Sequence, residues 1–351
     1  MQHNDSEKKP RSPLQALGST PLRRNIMLLL LLAGTYLLLP RLGGATHSLQ
    51  LLVQADGRYL LAALALQIVS LLCIAYLVHQ AVPAFGPALD FGCVLQVIMA
   101  SQFTSMFIPS AGLSGLALRV RYFGERGCQV ETALASYALE GLGHGLAIAV
   151  TVTLVLLSLT LTGQGAPWWI LALLLAPMLL GLAVLAIALG QPQSDDWRYA
   201  VLDRVNKVLA RLGRRPLEAA PLQQRLDQVR QAVRALSGPR RLRLLVASMG
   251  RILSDILCLQ MTLLAFGQAV RLSMTTLGYT LSSVLAYLSA LPGGLFVTES
   301  SLSAILAREA VPAAVAVAAT LTYRLFAFWL PRVVGLLSLL NLQRQSSRPL
   351  W

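Results

Sequence analysis

Apolar positions along the chain fall into long blocks separated by short polar stretches. Six blocks stand out: Ile26–Leu39, Tyr59–Val78, Thr132–Leu161, Trp168–Leu189, Leu244–Phe266 and Pro312–Leu340. About 20 apolar residues suffice for a helix to cross a bilayer. The pattern therefore predicts an all-α polytopic membrane protein with about six full spans. The first block is short and follows a polar, basic lead. That lead is long for a secretory signal and no small-x-small cleavage site follows closely, so the block reads as a retained span. Trp168 and Trp169 open the fourth block, where an interfacial aromatic belt would sit.

Two further blocks are weaker. Phe91–Ile108 is interrupted by Gln96, Ser101, Gln102, Thr104 and Ser105 and ends at Pro109. Thr275–Leu291 ends at Pro292-Gly293-Gly294. Short amphipathic stretches follow them, Gly115–Gly124 and Thr298–Arg308. Irregular backbone at membrane depth is tolerated only inside protein or beside a water-filled cavity. Both blocks therefore read as re-entrant helical hairpins; the alternative is two ordinary polar spans, giving eight crossings. A repeat then emerges, with span, hairpin and span over 59–161 and again over 244–340. Pro109 precedes Glu140 by 31 residues and Pro292 precedes Arg324 by 32. One hairpin would enter from the cytoplasm and the other from outside, so the units would be inverted, as in transporters with a midplane site.

Composition narrows the class. Of 351 residues, 56% are hydrophobic and only 13% charged, about half the charge of an average soluble domain. That excludes a disordered tail protein, a coiled coil and an ordinary cytosolic enzyme. The net charge of +14 would suit nucleic acid, but the placement of the charges accounts for it better. With both ends inside, 22 of the 29 Lys and Arg fall in cytoplasmic segments, at 1–25, 119–126, 191–243 and the tail. The organisation is thus a basic tail (1–25), one membrane domain (26–341) and a second tail (342–351). Within 191–243, Val201, Val205, Val208 and Leu212 share a helical face, as do Leu222, Leu226, Val229, Val233 and Leu236. Two amphipathic helices on the inner leaflet, or a soluble helical hairpin, would both produce this pattern. Cys73, Cys93, Cys128 and Cys258 are scattered, and no zinc spacing, Walker loop or dinucleotide fingerprint is present. No metal, cofactor or nucleic-acid partner is expected.

Ionisable side chains inside spans are the sharpest single-residue signal, because each costs about 2.5–3.5 kcal/mol at a helix centre. Glu140, Arg251, Asp255, Glu299 and Arg324 qualify and should face the bundle interior. Arg251 and Asp255, four apart on one helix, can simply neutralise each other. Glu140 and Arg324 hold matching places in the two repeats with opposite charge. They can pair across the pseudo-twofold axis, or Arg324 can hold a phosphate that Glu140 gates. A planar guanidinium binds phosphate bidentately and keeps its charge. The breakers Pro109, Gly112, Pro292, Gly293 and Gly294 would expose backbone N–H groups and helix ends suited to an anionic headgroup. A tight packing turn would use the same residues.

One pattern points elsewhere. Gly112-Leu113-Ser114-Gly115 resembles the serine turn of rhomboid intramembrane proteases, and His144 lies in a nearby span. That family's histidine lies much farther along the chain, and nothing else here is rhomboid-like. Among Gly141, Gly143 and Gly145, His144 reads better as a core residue at a close helix contact.

The motifs Phe107–Arg119, Ala133–Glu140, Leu291–Leu302, Tyr323-Arg324 and Phe328–Pro331 resemble the flippase-like membrane domain of lysylphosphatidylglycerol synthetases, which also occurs alone. The resemblance covers roughly residues 20–341. It implies a lipid translocase, since in the synthetases this domain moves aminoacylated phosphatidylglycerol to the outer leaflet. Pro109, Gly112, Glu140, Pro292, Gly293, Gly294, Glu299, Tyr323, Arg324 and Pro331 match the family's pattern. Many members follow the equivalent of Glu140 with Arg and place Asp four positions after that Glu; here Gly141 and His144 stand there. The aminoacyl-transferase domain of the synthetases is missing from this chain, so synthesis of lysyl-lipid is not expected. The expectation is a non-enzymatic translocase of a phosphate-bearing, anionic lipid in the bacterial inner membrane. Its site would combine Arg324, Glu140, Glu299, Arg251, Asp255 and Tyr323, and a separate lipid-modifying enzyme would be a natural partner. Two other readings stand beside it, a membrane-embedded enzyme acting on a headgroup with Glu140 or Asp255 as base, and a scaffold for a synthase or glycosyltransferase.

Overall fold

The computed structural model describes residues 53–107, 113–161, 234, 236–289, 291–309 and 311–345. The blocks expected at 26–39 and 168–189, the insert helices up to residue 233, the two tails and the breakers Pro109 and Gly112 lie outside the described residues.

All regular structure among the described residues is helical. Helix α1 runs Gly57–Ala81, capped by Asp56, whose carboxylate accepts the Arg58 N–H at 2.8 Å. Helix α2, Phe91–Phe107, is capped by Asp90 through Gly92 N at 2.8 Å. Helix α3 covers Leu113–Gly124 and α4 covers Val130–Leu161. Helix α5 starts at Gly238 with a proline in its first turn and ends at Ala265. Helices α6 (Leu272–Ser289) and α7 (Val297–Arg308) flank a tight 3₁₀ turn at Pro292–Gly294. The last block is one rod in three parts, α8 (Ala313–Arg324), a π-turn (Leu325–Trp329) and α9 (Leu330–Gln345). Pro331 explains the π-turn: it lacks an N–H and its ring crowds the carbonyl four residues back, so the helix widens before it.

Among the described residues, three stretches are long and apolar enough to cross a membrane, Gly57–Ala84, Val130–Ser158 and Ala313–Gln345. The 17 residues of α2 extend about 25 Å and the 12 of α3 or α7 about 18 Å. Each of these is shorter than a hydrocarbon core of roughly 30 Å. Both weak blocks fold as antiparallel helix pairs. Gly115 of α3 lies against Ser101 and Ser105 of α2, and Gly278 of α6 lies against Leu302 and Ile305 of α7.

The distribution of side chains is that of a protein solvated by lipid. Large apolar groups such as Leu61, Leu154, Leu157, Val246, Leu253 and Leu337 point outward, whereas Gln67, Ser248, Thr262, Thr320 and Arg324 are buried. Buried hydroxyls bond to the carbonyl one turn back, as Ser101 does to Val97 (2.7 Å) and Thr262 to Cys258 (2.8 Å). Helix pairs close on small residues. Gly250 meets the Cys73 sulfur, Gly143 meets Ser248, and Gly335 of α9 rests on the Met99 carbonyl and Phe103 of α2.

Packing between the two units is reciprocal. Helix α1 lies along α5, α2 along α9, and α6 against α4. Met106 near the end of α2 and Leu295 after the Pro292–Gly294 turn share one apolar cluster with Phe328 and Trp329 of the π-turn.

Candidate functional site

Each broken unit carries one buried ion pair. In the first, Arg119 Nη2 on α3 lies 2.6 Å from Glu140 Oε2 on α4. In the second, Arg324 Nε on α8 lies 2.6 Å from Glu299 Oε1 on α7. The helix after a break thus supplies one partner and the span that follows supplies the other, with the polarity reversed between units. The expected alternative, Glu140 pairing with Arg324 across the axis, is not what forms. Each residue has a nearer partner on the short helix of its own unit, and desolvated charges take the nearest counter-ion.

Arg119 corrects a second expectation. Counted by sequence among cytoplasmic loop charges, it is 2% exposed, with its guanidinium 5.1 Å from the centre of the Tyr137 ring. Leu116, Leu118 and Val120 carry it into the bundle. The signal was present in outline, since Arg119 stands 21 residues before Glu140 as Glu299 stands 25 before Arg324. What hid it was its neighbours Arg121, in the last turn of the same helix, and Arg126, in the turn that follows.

Arg324 is held on several sides. Its Nη2 donates to the Gly293 carbonyl at 3.1 Å, and its guanidinium lies 4.0 Å from the centre of the Phe328 ring. That carbonyl is presented by a turn in which Gly293 and Gly294 both have φ of +62°. A β-carbon on Gly293 would collide with the Phe328 ring, and one on Gly294 with Ala286. The glycines are therefore required by conformation and by space. Tyr323, the neighbour of Arg324, is buried and lies within electrostatic reach of Asp255 and Arg251.

Helix α5, which carries Arg251 and Asp255, packs against both α4 and α8. The Tyr279 hydroxyl of α6 donates to Asp255 Oδ2 at 3.3 Å, and Ser70 and Gln67 of α1 face the same carboxylate. Arg251 lies among Asp255, Glu140, Tyr287 and Tyr279. No carboxylate among the described residues comes within ion-pair distance of its guanidinium. The simple i,i+4 neutralisation is therefore a through-space balance and not a contact pair. His144 Nε2 meets the Tyr287 hydroxyl at 2.8 Å, while Ser114 Oγ donates to the Thr104 carbonyl at 3.3 Å. The rhomboid-like dyad is not formed.

Three contributors escaped the sequence reading because they are ordinary aromatic or loop-side residues until folded. Tyr279 and Tyr287 line Arg251 and Asp255 from α6, and Phe328 gathers Arg324 and Arg332, each 4.0 Å from its ring centre. Spacing of four residues from 324 to 328 to 332 was the available clue. Beside this interior, an apolar groove of about 820 Å³ opens between α4, α5 and α6, lined by Val150, Leu154, Leu245, Met249 and Leu253. Gly250 and Ile252, which flank Arg251 in sequence, line it as well.

Among the described residues, no group of His, Cys, Asp and Glu could hold a metal ion. The arrangement can instead bind a charged group within apolar walls. A search of the curated proteins finds no match to this chain. The family model described as the lysylphosphatidylglycerol synthase TM region matches residues 26–335. With nearly all of the helical bundle covered by that match, the chain is a membrane protein that belongs to the lysylphosphatidylglycerol synthase TM region family.

Proposed function

We propose that the protein is a lipid translocase that moves an anionic, phosphate-bearing headgroup across the bacterial inner membrane by alternating access. The observation that carries this reading is Arg251, a half-buried cation with no contact counter-ion among the described residues, on a helix packed against both spans that carry ion-paired residues. A half-buried charge left without a contact partner is costly. A phosphate arriving there supplies the missing contact with charge-assisted hydrogen bonds.

The groove supports a division of the lipid. Arg251 and the groove-lining Gly250 and Ile252 are consecutive on α5, so a headgroup at Arg251 leaves its acyl chains against Val150, Leu154 and Leu253. The two ion pairs act as latches. Opening Arg119–Glu140 exposes the interior to one side, and opening Glu299–Arg324 exposes it to the other. Reciprocal packing of α2 on α9 and α6 on α4 supports an inverted repeat with two re-entrant hairpins, the topology in which such latches face opposite leaflets.

The competing reading is an enzyme that alters the headgroup. Lipid mass spectrometry of proteoliposomes separates the two. The translocase reading expects a labelled phosphatidylglycerol to change leaflet with its mass unchanged. A new lipid mass that disappears in Asp255→Asn would replace it with the enzyme reading.

A further inference from the structure

Charge counting in the interior restricts what the site can carry. Among the described residues, four arginines are gathered there: Arg119, Arg251, Arg324 and Arg332. Three carboxylates face them: Glu140, Asp255 and Glu299. Glu140 is engaged by Arg119 and Glu299 by Arg324. Asp255 is left to serve both Arg251 and Arg332, and it is the one carboxylate within electrostatic reach of Arg332 among the described residues. Even with all three of these carboxylates ionised, this group of seven side chains carries one positive charge in excess.

Arg332 is the residue that carries this excess. Its Nη1 donates to the Phe328 carbonyl at 3.1 Å and its guanidinium rests 4.0 Å from the centre of the Phe328 ring. Its Nε is buried with no acceptor among the described residues. Arg324 and Arg251 stand nearby with the same sign. A cation held among cations by an aromatic face, with an idle buried donor, is arranged to receive an anion.

We infer that Arg332 and Arg251 together form a receptor for a single phosphodiester, so the cargo is a lipid of net charge −1 and not a cationic aminoacyl-lipid. An aminoacylated headgroup would bring ammonium groups among Arg251, Arg324 and Arg332, and like charges at close range are disfavoured. This inference rests on the translocase reading for the word cargo, but its content is a binding preference that can be measured without transport.

The test is native mass spectrometry of the full-length protein in detergent with phosphatidylglycerol, phosphatidylcholine and lysyl-phosphatidylglycerol offered at equal concentration. Leaflet exchange of the same lipids, labelled on the acyl chain, is measured in parallel. The expected result is retention of phosphatidylglycerol above the other two. Arg332→Gln should weaken that retention roughly ten- to a hundredfold, the worth of a hydrogen bond to a charged group, while Arg332→Lys keeps part of it. Arg332→Gln should also melt no lower than wild type, since it removes an uncompensated cation; a lower melting temperature would show that Arg332 is a structural residue and overturn the assignment. Equal or stronger retention of the lysyl form, or an unchanged preference in a folded Arg332→Gln protein, would overturn the inference while leaving translocation intact. Selective retention without exchange of any lipid would uphold the inference and remove the translocase reading.

Discussion

Arg119 Nη2 sits 2.6 Å from Glu140 Oε2, and the arginine is almost wholly removed from solvent. The second unit repeats the relationship with the charges exchanged, Glu299 on the short helix and Arg324 on the span. A pair of this kind is an expensive way to hold two helices together, because apolar residues would do so at no desolvation cost. In the proposed translocase its value lies in being breakable.

Removing one partner should therefore cost more than removing both. Glu140→Gln leaves Arg119 buried and unpaired, and should lower stability by about 3–5 kcal/mol. Arg119→Met combined with Glu140→Met should recover most of that loss. Thermal unfolding in detergent of the two single variants and the double variant measures the coupling. The double variant should fold and fail to exchange lipid, which separates the latch from a purely structural pair.

The turn at Pro292–Gly294 gives a cleaner stability test. Gly293 has φ of +62° with the Phe328 ring where a side chain would go, while Gly267 has φ of +72° with open space around it. Gly267→Ala should cost about 1–2 kcal/mol for the left-handed backbone alone. Gly293→Ala should cost more, because Phe328 must move as well. Because Phe328 carries Arg324 and Arg332, Gly293→Ala should also slow exchange, and Gly267→Ala should not.

Helix contacts can be tested in the same way. Gly335→Ala places a methyl group on the Met99 carbonyl of α2 and should cost about 1–3 kcal/mol. Gly141→Ala, at a helical glycine with open space, should gain up to about 1 kcal/mol from helix propensity. Melting temperatures of the two variants should move in opposite directions.

Much of this architecture was legible in the chain. The block at 59–78 became α1, and the two polar blocks became the helices α2 and α6, each followed by a shorter helix. Those readings worked because membrane helices must satisfy their own backbone, so length, apolarity and breakers decide the elements. The residues of the site were also largely visible, since a charge within an apolar block is costly enough to be conspicuous. The partners were not. Arg119 looked like a loop charge because its helix is short and Arg121, Glu125 and Arg126 follow it closely. Arg332 looked like one more charge in a span until the π-turn before Pro331 set it over Phe328. Pairing is decided by distances across the bundle, and spacing along one helix does not contain them.

Asp255 has a distinct role in this account, as the carboxylate shared by Arg251 and Arg332. Asp255→Asn keeps the size and the Tyr279 contact but removes the balancing charge. The protein should fold, bind phosphatidylglycerol more tightly and release it more slowly, so exchange falls about tenfold as retention rises. Tyr279→Phe should show a weaker form of the same change. Binding by native mass spectrometry and exchange in liposomes, measured on one preparation, check the opposed directions.

The most direct measurement is the leaflet exchange of acyl-labelled phosphatidylglycerol in liposomes containing the purified protein, with Arg251→Gln as the comparison and size exclusion to establish its fold. The account predicts exchange well above protein-free liposomes in wild type and loss of that excess in Arg251→Gln. Exchange no faster than in empty liposomes, or an excess that Arg251→Gln leaves untouched, would contradict it.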